Sequence, residues 1–540
     1  MLLLISLINY ITKNLNLTKL KVLRFLFCLL LISFFSISNA QSFEVYADNS
    51  YIKVNEQNDN LLDLGLSTYK FSRITYKGKP IRINIKVIDF EFKENDWSIS
   101  PKRYKIKGVK SGNSLSFSIN RLGYVVVIFK QNQDFNKRIV ILIEKPNQIP
   151  NNIVNIVDAY GIDYRGNKNE TKKIQKALNE ISGSGKVLYF PPGTYKTFML
   201  KFKSNSHIYL DKNSRILADP TSLSPYVSSE KRGLESFILI KDVKNLEISG
   251  LGIIDGNGTQ ILSKYFNELS TIVQNHSAGI RLLLIYRSQN IKFNGVLLKD
   301  SARWNTHILQ SNNVSFNRCK LLNNPNESDL LGSLDGWDPD SSKNILIENS
   351  FGWAGDDAVA VKCTGKLNDQ LKVRDAENIV IKGNVFLTKK SGLKIGTETF
   401  CSQVQNIVFE NNDIIESDRV MGINVRDGAI VQDVIFRNNH AELNFPDRKQ
   451  NGMNFYITKR DKNISELGKI QKVIIENCSF DIAFPKKFAF FRHYPEIAKT
   501  DLSVSFENLV VAGEKVEILN PNFFDLSKNN AQMIFNDLKP

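Results

Sequence analysis

From Asn245 onward the chain repeats one pattern, a polar residue followed by a short strand in which apolar, largely β-branched residues alternate with polar ones. The pattern begins at Asn245, Asn290, Asn313, Asn344, Asn378, Asn406 and Asp433, and Val473 resumes it; the steps are 45, 23, 31, 34, 28 and 27 residues. Short strands at irregular periods of about 20 to 50 residues specify a solenoid, in which each rung buries Ile, Val, Leu and Phe against the rungs above and below. Asparagines at the bends can bond their own backbone or stack on their neighbours. The 45-residue step is long enough for two coils. A propeller would need four strands in a regular period of about 40 residues, and the spacing lacks it. Beyond about Asp501 the pattern is lost, so a terminal cap or an edge-covering tail is expected there.

Ahead of the repeats, Ser42 to about Lys145 carries short alternating strands with polar turns, such as Ile81 to Val87, Leu115 to Ile119 and Val125 to Phe129. This spacing predicts a small antiparallel β-sandwich. Two prolines and three asparagines from Pro146 to Asn152 read as a linker. One helix follows. Asn169 can cap it, Ile174, Ala177, Leu178 and Ile181 recur at i, i+3, i+4 and i+7, and Gly183 and Gly185 stop it. A buried strand, Val187 to Phe190, then leads into Pro191-Pro192-Gly193-Thr194-Tyr195. This order resembles the cap of pectate-lyase-like β-helix proteins, where a helix closes the open end of the first coil. The resemblance implies an all-β chain with a sandwich over residues 41–148 and a right-handed parallel β-helix over 149–540.

Residues 1–40 read as a signal peptide. Lys13, Lys19, Lys21 and Arg24 precede an apolar run from Phe25 to Phe35, and Ser38 and Ala40 flank Asn39 before Gln41. The run is shorter than the roughly 20 residues a membrane span needs, so a secreted or periplasmic protein with no membrane partner is expected. The formal charge of +16 falls to +12 once those four basic residues are removed. A basic surface outside the cell favours anionic partners. No nucleic-acid motif appears and the lysines are scattered, so nucleic acid is not expected as a partner. Cys319, Cys363, Cys401 and Cys478 lack metal-ligand spacing and fit buried thiols or one bridge equally well.

Two stretches concentrate carboxylates. They are Asp335-Gly336-Trp337-Asp338 and Gly355-Asp356-Asp357-Ala358-Val359-Ala360-Val361-Lys362. Asp335 and Asp356 stand 21 residues apart, about one coil, which places them on neighbouring rungs spaced about 4.8 Å. Carboxylates so crowded repel as anions, and at least one is held protonated near neutrality. An isolated Asp-Asp pair usually marks a turn or a solvated edge. Here the pair opens an apolar strand one coil after another acidic cluster. Glycoside cleavage needs an acid beside a base, with water fitting between carboxyl groups about 6.5 to 9.5 Å apart when the anomeric configuration inverts. Several carboxylates on adjacent coils would also suit calcium.

These residues resemble glycoside hydrolase family 28, the polygalacturonases, and its clan relative family 49, which includes dextranases. The family 28 pattern Asn-Thr-Asp-Gly-aromatic-Asp is similar to Ser333-Leu334-Asp335-Gly336-Trp337-Asp338, and its Gly-Asp-Asp motif to Gly355 through Lys362. The resemblance implies Asp356 as general acid, with Asp335 and Asp357 holding the hydrolytic water. Lys390-Ser391-Gly392-Leu393-Lys394-Ile395-Gly396-Thr397 resembles the family's Gly-His-Gly-Leu-Ser-Ile-Gly-Ser, with Ser391 in place of histidine. Asn424-Val425-Arg426 resembles its Arg-Ile-Lys, with Asn424 in place of arginine and Arg426 keeping the final cation. Candidate substrate contacts are therefore Arg426, Lys394, Asn424, Trp337, Asp338 and Ser391. Arg426 and Lys394 could grip a carboxylate or sulfate, and Trp337 could stack on a sugar or pack beside its rung. A sandwich ahead of a β-helix is closer to family 49, while the motif detail is closer to family 28.

The expectation is an inverting hydrolase of a polysaccharide, anionic by charge, working as a monomer with no cofactor and no metal. The five histidines, His307 among them, are read as structural. A lyase on the same fold would need calcium and a basic proton abstractor, for which Arg426 is the candidate. A non-catalytic glycan-binding solenoid would have little use for three acids on adjacent coils.

Overall fold

The computed structural model describes residues 42–56, 70–130, 137–227, 235–274, 280–323, 334–364, 373–443, 451–463, 465–482, 489–492, 501–517, 524–525 and 532–536. The signal reading, at residues 1–40, lies outside them. No helix among the described residues is long and apolar enough to cross a membrane.

Between Phe43 and Glu144 lie two five-stranded sheets that enclose a core of Phe43, Ile83, Ile85, Phe117, Val127, Phe129, Ile139 and Ile141. The alternation in Ile81–Val87, buried at every second residue, is what lets one face meet that core. Among the described residues all pairings here are antiparallel except one, where Lys137–Glu144 runs parallel to Lys70–Thr75.

From Ile153–Asn155 onward the chain winds into three long sheets of parallel strands, of 13, 12 and 11 strands among the described residues. This is a right-handed parallel β-helix, the hand that strand crossovers almost always take. Helix Thr171–Glu180 covers its first coil with Ile174, Ala177 and Leu178. Asn169 accepts from the Thr171 N–H at 3.1 Å, as its position ahead of the helix implied.

The bends follow from the asparagines. Asn205, Asn245, Asn290, Asn313, Asn344, Asn378 and Asn406 all hold φ between 52° and 58°, the left-handed region that asparagine tolerates. Their side chains form a ladder between coils, for example Asn290 to Asn245 at 2.9 Å and Asn313 to Asn290 at 2.7 Å. A second, buried ladder runs through Asn384, Asn412 and Asn439, each bonding the backbone N–H of the residue one coil earlier.

Two expectations are corrected. The 45-residue step holds one coil, because Lys244–Gly250 pairs directly with Gln289–Asn294; the extra length is an inserted helix, Gly258–Gln274. Periodicity of β-branched strands could not reveal a helical insertion. The coil pattern also continues past Asp501, where Leu502–Glu507 pairs with Lys469–Glu476 and then with Gln532–Asn536. Its burial still alternates from Leu502 through Phe506.

Candidate active site

The acidic motifs occupy neighbouring turns that lead into the third sheet. Trp337–Asp340 and Val359–Cys363 pair in parallel with Trp337 opposite Val359, and Val359 lies opposite Leu393 of the next strand, Ser391–Thr399. These inward residues enter the solenoid core. Alternation therefore sends Asp338, Lys362 and Lys394 to the other face of the sheet.

Gly336 explains the glycine between the two acids. A Cβ there would lie 2.3 Å from the Ala358 carbonyl oxygen, so only glycine lets the rungs approach this closely. The Gly336 and Trp337 N–H groups donate to the carbonyls of Asp357 and Ala358, at 2.8 and 3.0 Å. Gly355 and Asp356 in turn donate to the Leu334 carbonyl, each at 3.2 Å. The backbone of each acidic motif is thus pinned to the other. One carboxylate oxygen from each of Asp335, Asp356 and Asp357 lies within 4.8 Å of the others.

The three carboxyl groups differ in their surroundings. Asp357 is buried, yet Lys394 at 2.5 Å, helped by the charges of Arg419 and Lys362, outweighs the cost of burial and holds it below the usual carboxylate range; the Ser391 N–H also donates to it at 2.9 Å. Asp335 is also buried, which raises its pKa against the pull of Lys362 at 2.5 Å; its Oδ1 has no hydrogen-bond partner among the described residues. Asp356 alone is partly exposed, and burial together with the charges of Asp335 and Asp357 pushes it up to about 7. An acid and two lysine-held carboxylates therefore share one spot.

Lys362 also lies 3.0 Å from Asp338 and sits 3.9 Å from the centre of the Trp304 ring. Burial and then the neighbouring Asp335 push the Asp338 carboxyl well above the usual range, against the pull of Lys362. The three carboxyl groups are spaced closely enough to hold a cation, but Lys362 and Lys394 already lie 2.5 Å from Asp335 and Asp357.

The other sequence candidates separate. Trp337 is fully buried and packs edge-on against Phe316 and Phe386, which corrects its place among the sugar contacts: its inward register makes it a core residue. Asn424 is buried too, and with its amide turned so that the nitrogen donates, it reaches the carbonyls of Asn454 and Ile423, each at 3.2 Å. Ser391 is buried beside Asp357, and Lys394 is taken up by that carboxylate. Arg426 is half-buried, and among the described residues no hydrogen bond or ion pair joins it to the three aspartates. His307 is buried against Asp340 at 2.9 Å and held down to about 4 by burial, a neutral structural imidazole. Cys363 and Cys401 form a disulfide that ties the Lys362 strand to the end of the Lys394 strand, while Cys319 and Cys478 are buried thiols.

Two neighbours were missed in the sequence. Trp304 lies one coil before Asp335, three residues ahead of His307, and a reading of the histidine alone passed over it. Arg419 opens the next strand of the third sheet, paired with Ser391, and its Nε donates to Ser391 Oγ at 3.1 Å. Its signal was positional: it falls one rung beyond the serine that replaces the motif histidine.

Residues 194–442 match the family model described as "Glycosyl hydrolases family 28", and residues 153–198 match "Rhamnogalacturonase A/epimerase, pectate lyase-like". The chain is 29% identical over 277 residues to an endo-polygalacturonase of Pectobacterium carotovorum subsp. carotovorum, an alignment covering 47% of this chain and 64% of that protein. It spans somewhat less than two thirds of the length of the curated relatives it first matches. In fold, it is similar to a hyperthermoactive exopolygalacturonase from Thermotoga maritima, with TM-score 0.55 and 21% identity over 69% of this chain and 94% of that one. Dex49A from Penicillium minioluteum is similar over more of the chain, 91% against 93% of its own, with TM-score 0.52 and 12% identity. Over residues 194–442 the chain is therefore similar to the glycosyl hydrolases of family 28, and its fold is that of a parallel β-helix.

Proposed function

We propose that the protein cleaves O-glycosidic bonds of an anionic, polygalacturonate-like polysaccharide outside the cytoplasm, by hydrolysis. The observation that carries this reading is the environment of Asp356: a partly exposed carboxyl group held protonated near neutrality, next to two ionisable carboxylates fixed by lysines. Asp356 donates its proton to the leaving oxygen. Asp335, through its unpartnered Oδ1, and Asp357 orient and deprotonate the attacking water.

The oxygens within 4.8 Å are closer than the gap of about 6.5 to 9.5 Å on which the expectation of inversion was based. Inversion is supported instead by the lysines. A carboxylate paired with an ammonium at 2.5 Å is a poor nucleophile toward the anomeric carbon, whereas it can still hold water. The first product anomer, followed by NMR, should therefore be of opposite configuration to the substrate; retention would remove this assignment.

Relatives named as polygalacturonases, together with the basic charge of the chain, favour a uronan. Incubation with polygalacturonate should release reducing ends without ultraviolet absorbance. Asp356→Asn should lower kcat by about 10²- to 10⁴-fold with KM little changed, the usual contribution of a general acid. A variant with the native rate would exclude Asp356 as the acid. EDTA should leave the rate unchanged, and loss of activity that calcium restores would point to a lyase.

A further inference from the structure

At the two positions where Ser391 and Asn424 replace the histidine and arginine of the motifs, the replacement is buried and occupied by the protein itself. Ser391 donates its N–H to Asp357 and its Oγ accepts from Arg419, while the Asn424 amide nitrogen donates to backbone carbonyls. The nearby lysines are committed as well, Lys362 to Asp335 and Asp338, Lys394 to Asp357. A site for an anionic sugar still requires a cation that is not neutralised by the catalytic carboxylates.

Arg419 meets that requirement. It is half-buried at the first position of its strand, in register with Ser391, and its own N–H is anchored on the Lys390 carbonyl at 2.9 Å. The bond from Nε to Ser391 Oγ fixes the guanidinium plane. That leaves the two Nη groups, for which no hydrogen bond or ion pair is found among the described residues. The charge lies near enough to help hold Asp357 in its ionised form. A guanidinium fixed at one nitrogen presents the others as a fork that matches a carboxylate, and a lysine cannot reproduce that geometry.

We infer that Arg419, positioned by Ser391, is the clamp for the carboxylate of a uronic acid unit beside the scissile bond, in place of the histidine and arginine that this chain lacks. The inference rests on the hydrolase reading for its position relative to the bond, and the test separates the two.

Oligogalacturonate and its methyl ester differ only in the charge Arg419 would read. In the native enzyme, Arg419→Gln should raise KM for the free acid about 10- to 100-fold, the range for losing a hydrogen bond to a charged group, and change KM for the ester little. Arg419→Lys should recover part of the affinity but not the full discrimination. Equal losses on acid and ester, or a fall confined to kcat, would show that Arg419 only supports Ser391 and Asp357, and would overturn the inference. If Arg419→Gln does not fold, Ser391→Ala keeps the charge and removes its anchor, and it should reduce the acid-to-ester preference; an unchanged preference would count against the clamp. If the native enzyme cleaves neither compound, the hydrolase reading fails on its own. Calorimetric binding of acid and ester to Asp356→Asn, with and without Arg419→Gln, then decides the clamp: preference for the acid lost with Arg419 supports it, and preference retained overturns it.

Discussion

Asp356 illustrates how a site can be bought with stability. Its pKa is raised, mainly by burial and then by Asp335 and Asp357, to about 7. Between the ordinary carboxyl value and that figure, the folded protein binds a proton that the unfolded chain has released. The stability contributed by the neutral form is therefore present at low pH and lost as pH rises from about 4 to about 7. Asp356→Asn stays neutral throughout. It should be more stable than the native protein at pH 8, by an amount on the order of 1 to 4 kcal/mol at about 1.4 kcal/mol per pKa unit, and so melt at a higher temperature, and the gain should shrink toward pH 5. Thermal midpoints at the two pH values check this, and a difference independent of pH would mean that Asp356 is not titrating as described. The same protonation sets the alkaline limb of the rate profile: turnover should fall as pH rises through about 7. The triad was legible in the sequence because Asp335, Asp356 and Asp357 sit in two contiguous motifs about one coil apart. Arg419 and Trp304 were not, because each reaches the site only through rung register, and register depends on where insertions fall.

At the scale of the coil, the polar residue that starts each repeat does two jobs. Asn378 holds φ 57°, donates to Asn344 at 3.1 Å and accepts from Asn406 at 3.1 Å. Alanine at this position keeps the left-handed backbone without the local polar compensation, at a cost of about 1 to 2 kcal/mol. Asn378→Ala should lower stability by that amount, and Asn378→Gly should lower it less, because glycine takes positive φ freely and loses only the ladder bonds. Equal losses in denaturant titrations would show that the ladder, not the backbone, is what matters. The repeat was readable because this backbone requirement selects a residue type that marks each turn. The inserted helix Gly258–Gln274 was not, since an insertion between rungs carries no β-periodicity. The last coils were hidden for a related reason: strand Gln532–Asn536 is separated from its partner Leu502–Glu507 by 24 residues, and Gln532 itself is not preceded by the polar residue and β-branched run that mark the earlier coils.

Across the whole molecule, one of the two N-terminal sheets, the one holding Lys70–Thr75, Gly123–Phe129 and Lys137–Glu144, is packed onto the solenoid by an apolar contact. Phe71, Tyr124, Val126, Ile128, Val140 and Leu142 meet Leu297, Leu322, Phe351, Trp353, Val385 and Leu387 of the second sheet, the one next to the turns that carry the acids. Polar contacts surround it: Arg138 pairs with Glu416 at 2.7 Å, and Arg103 with Asp413 at 2.6 Å. Within the contact, Glu144 is held by Arg73 at 2.8 Å and Lys320 at 2.6 Å, all three nearly inaccessible. Burial alone would raise the Glu144 pKa, but the two cations overcome it and lower the value to about 2. A depressed carboxyl pKa contributes stability above the unfolded value, and that contribution is lost as pH falls from about 4.5 toward 2. Glu144→Gln leaves two buried cations facing a neutral amide, so it should cost about 3 to 5 kcal/mol at neutral pH, the range for breaking a buried pair from one side. Because the substitution also removes the titrating group, the native protein should lose more stability than the variant between pH 5 and pH 3, and the two curves should converge. Parallel curves would place the acid sensitivity elsewhere, and the Glu144 triad would then not be what couples the N-terminal sheets to the solenoid.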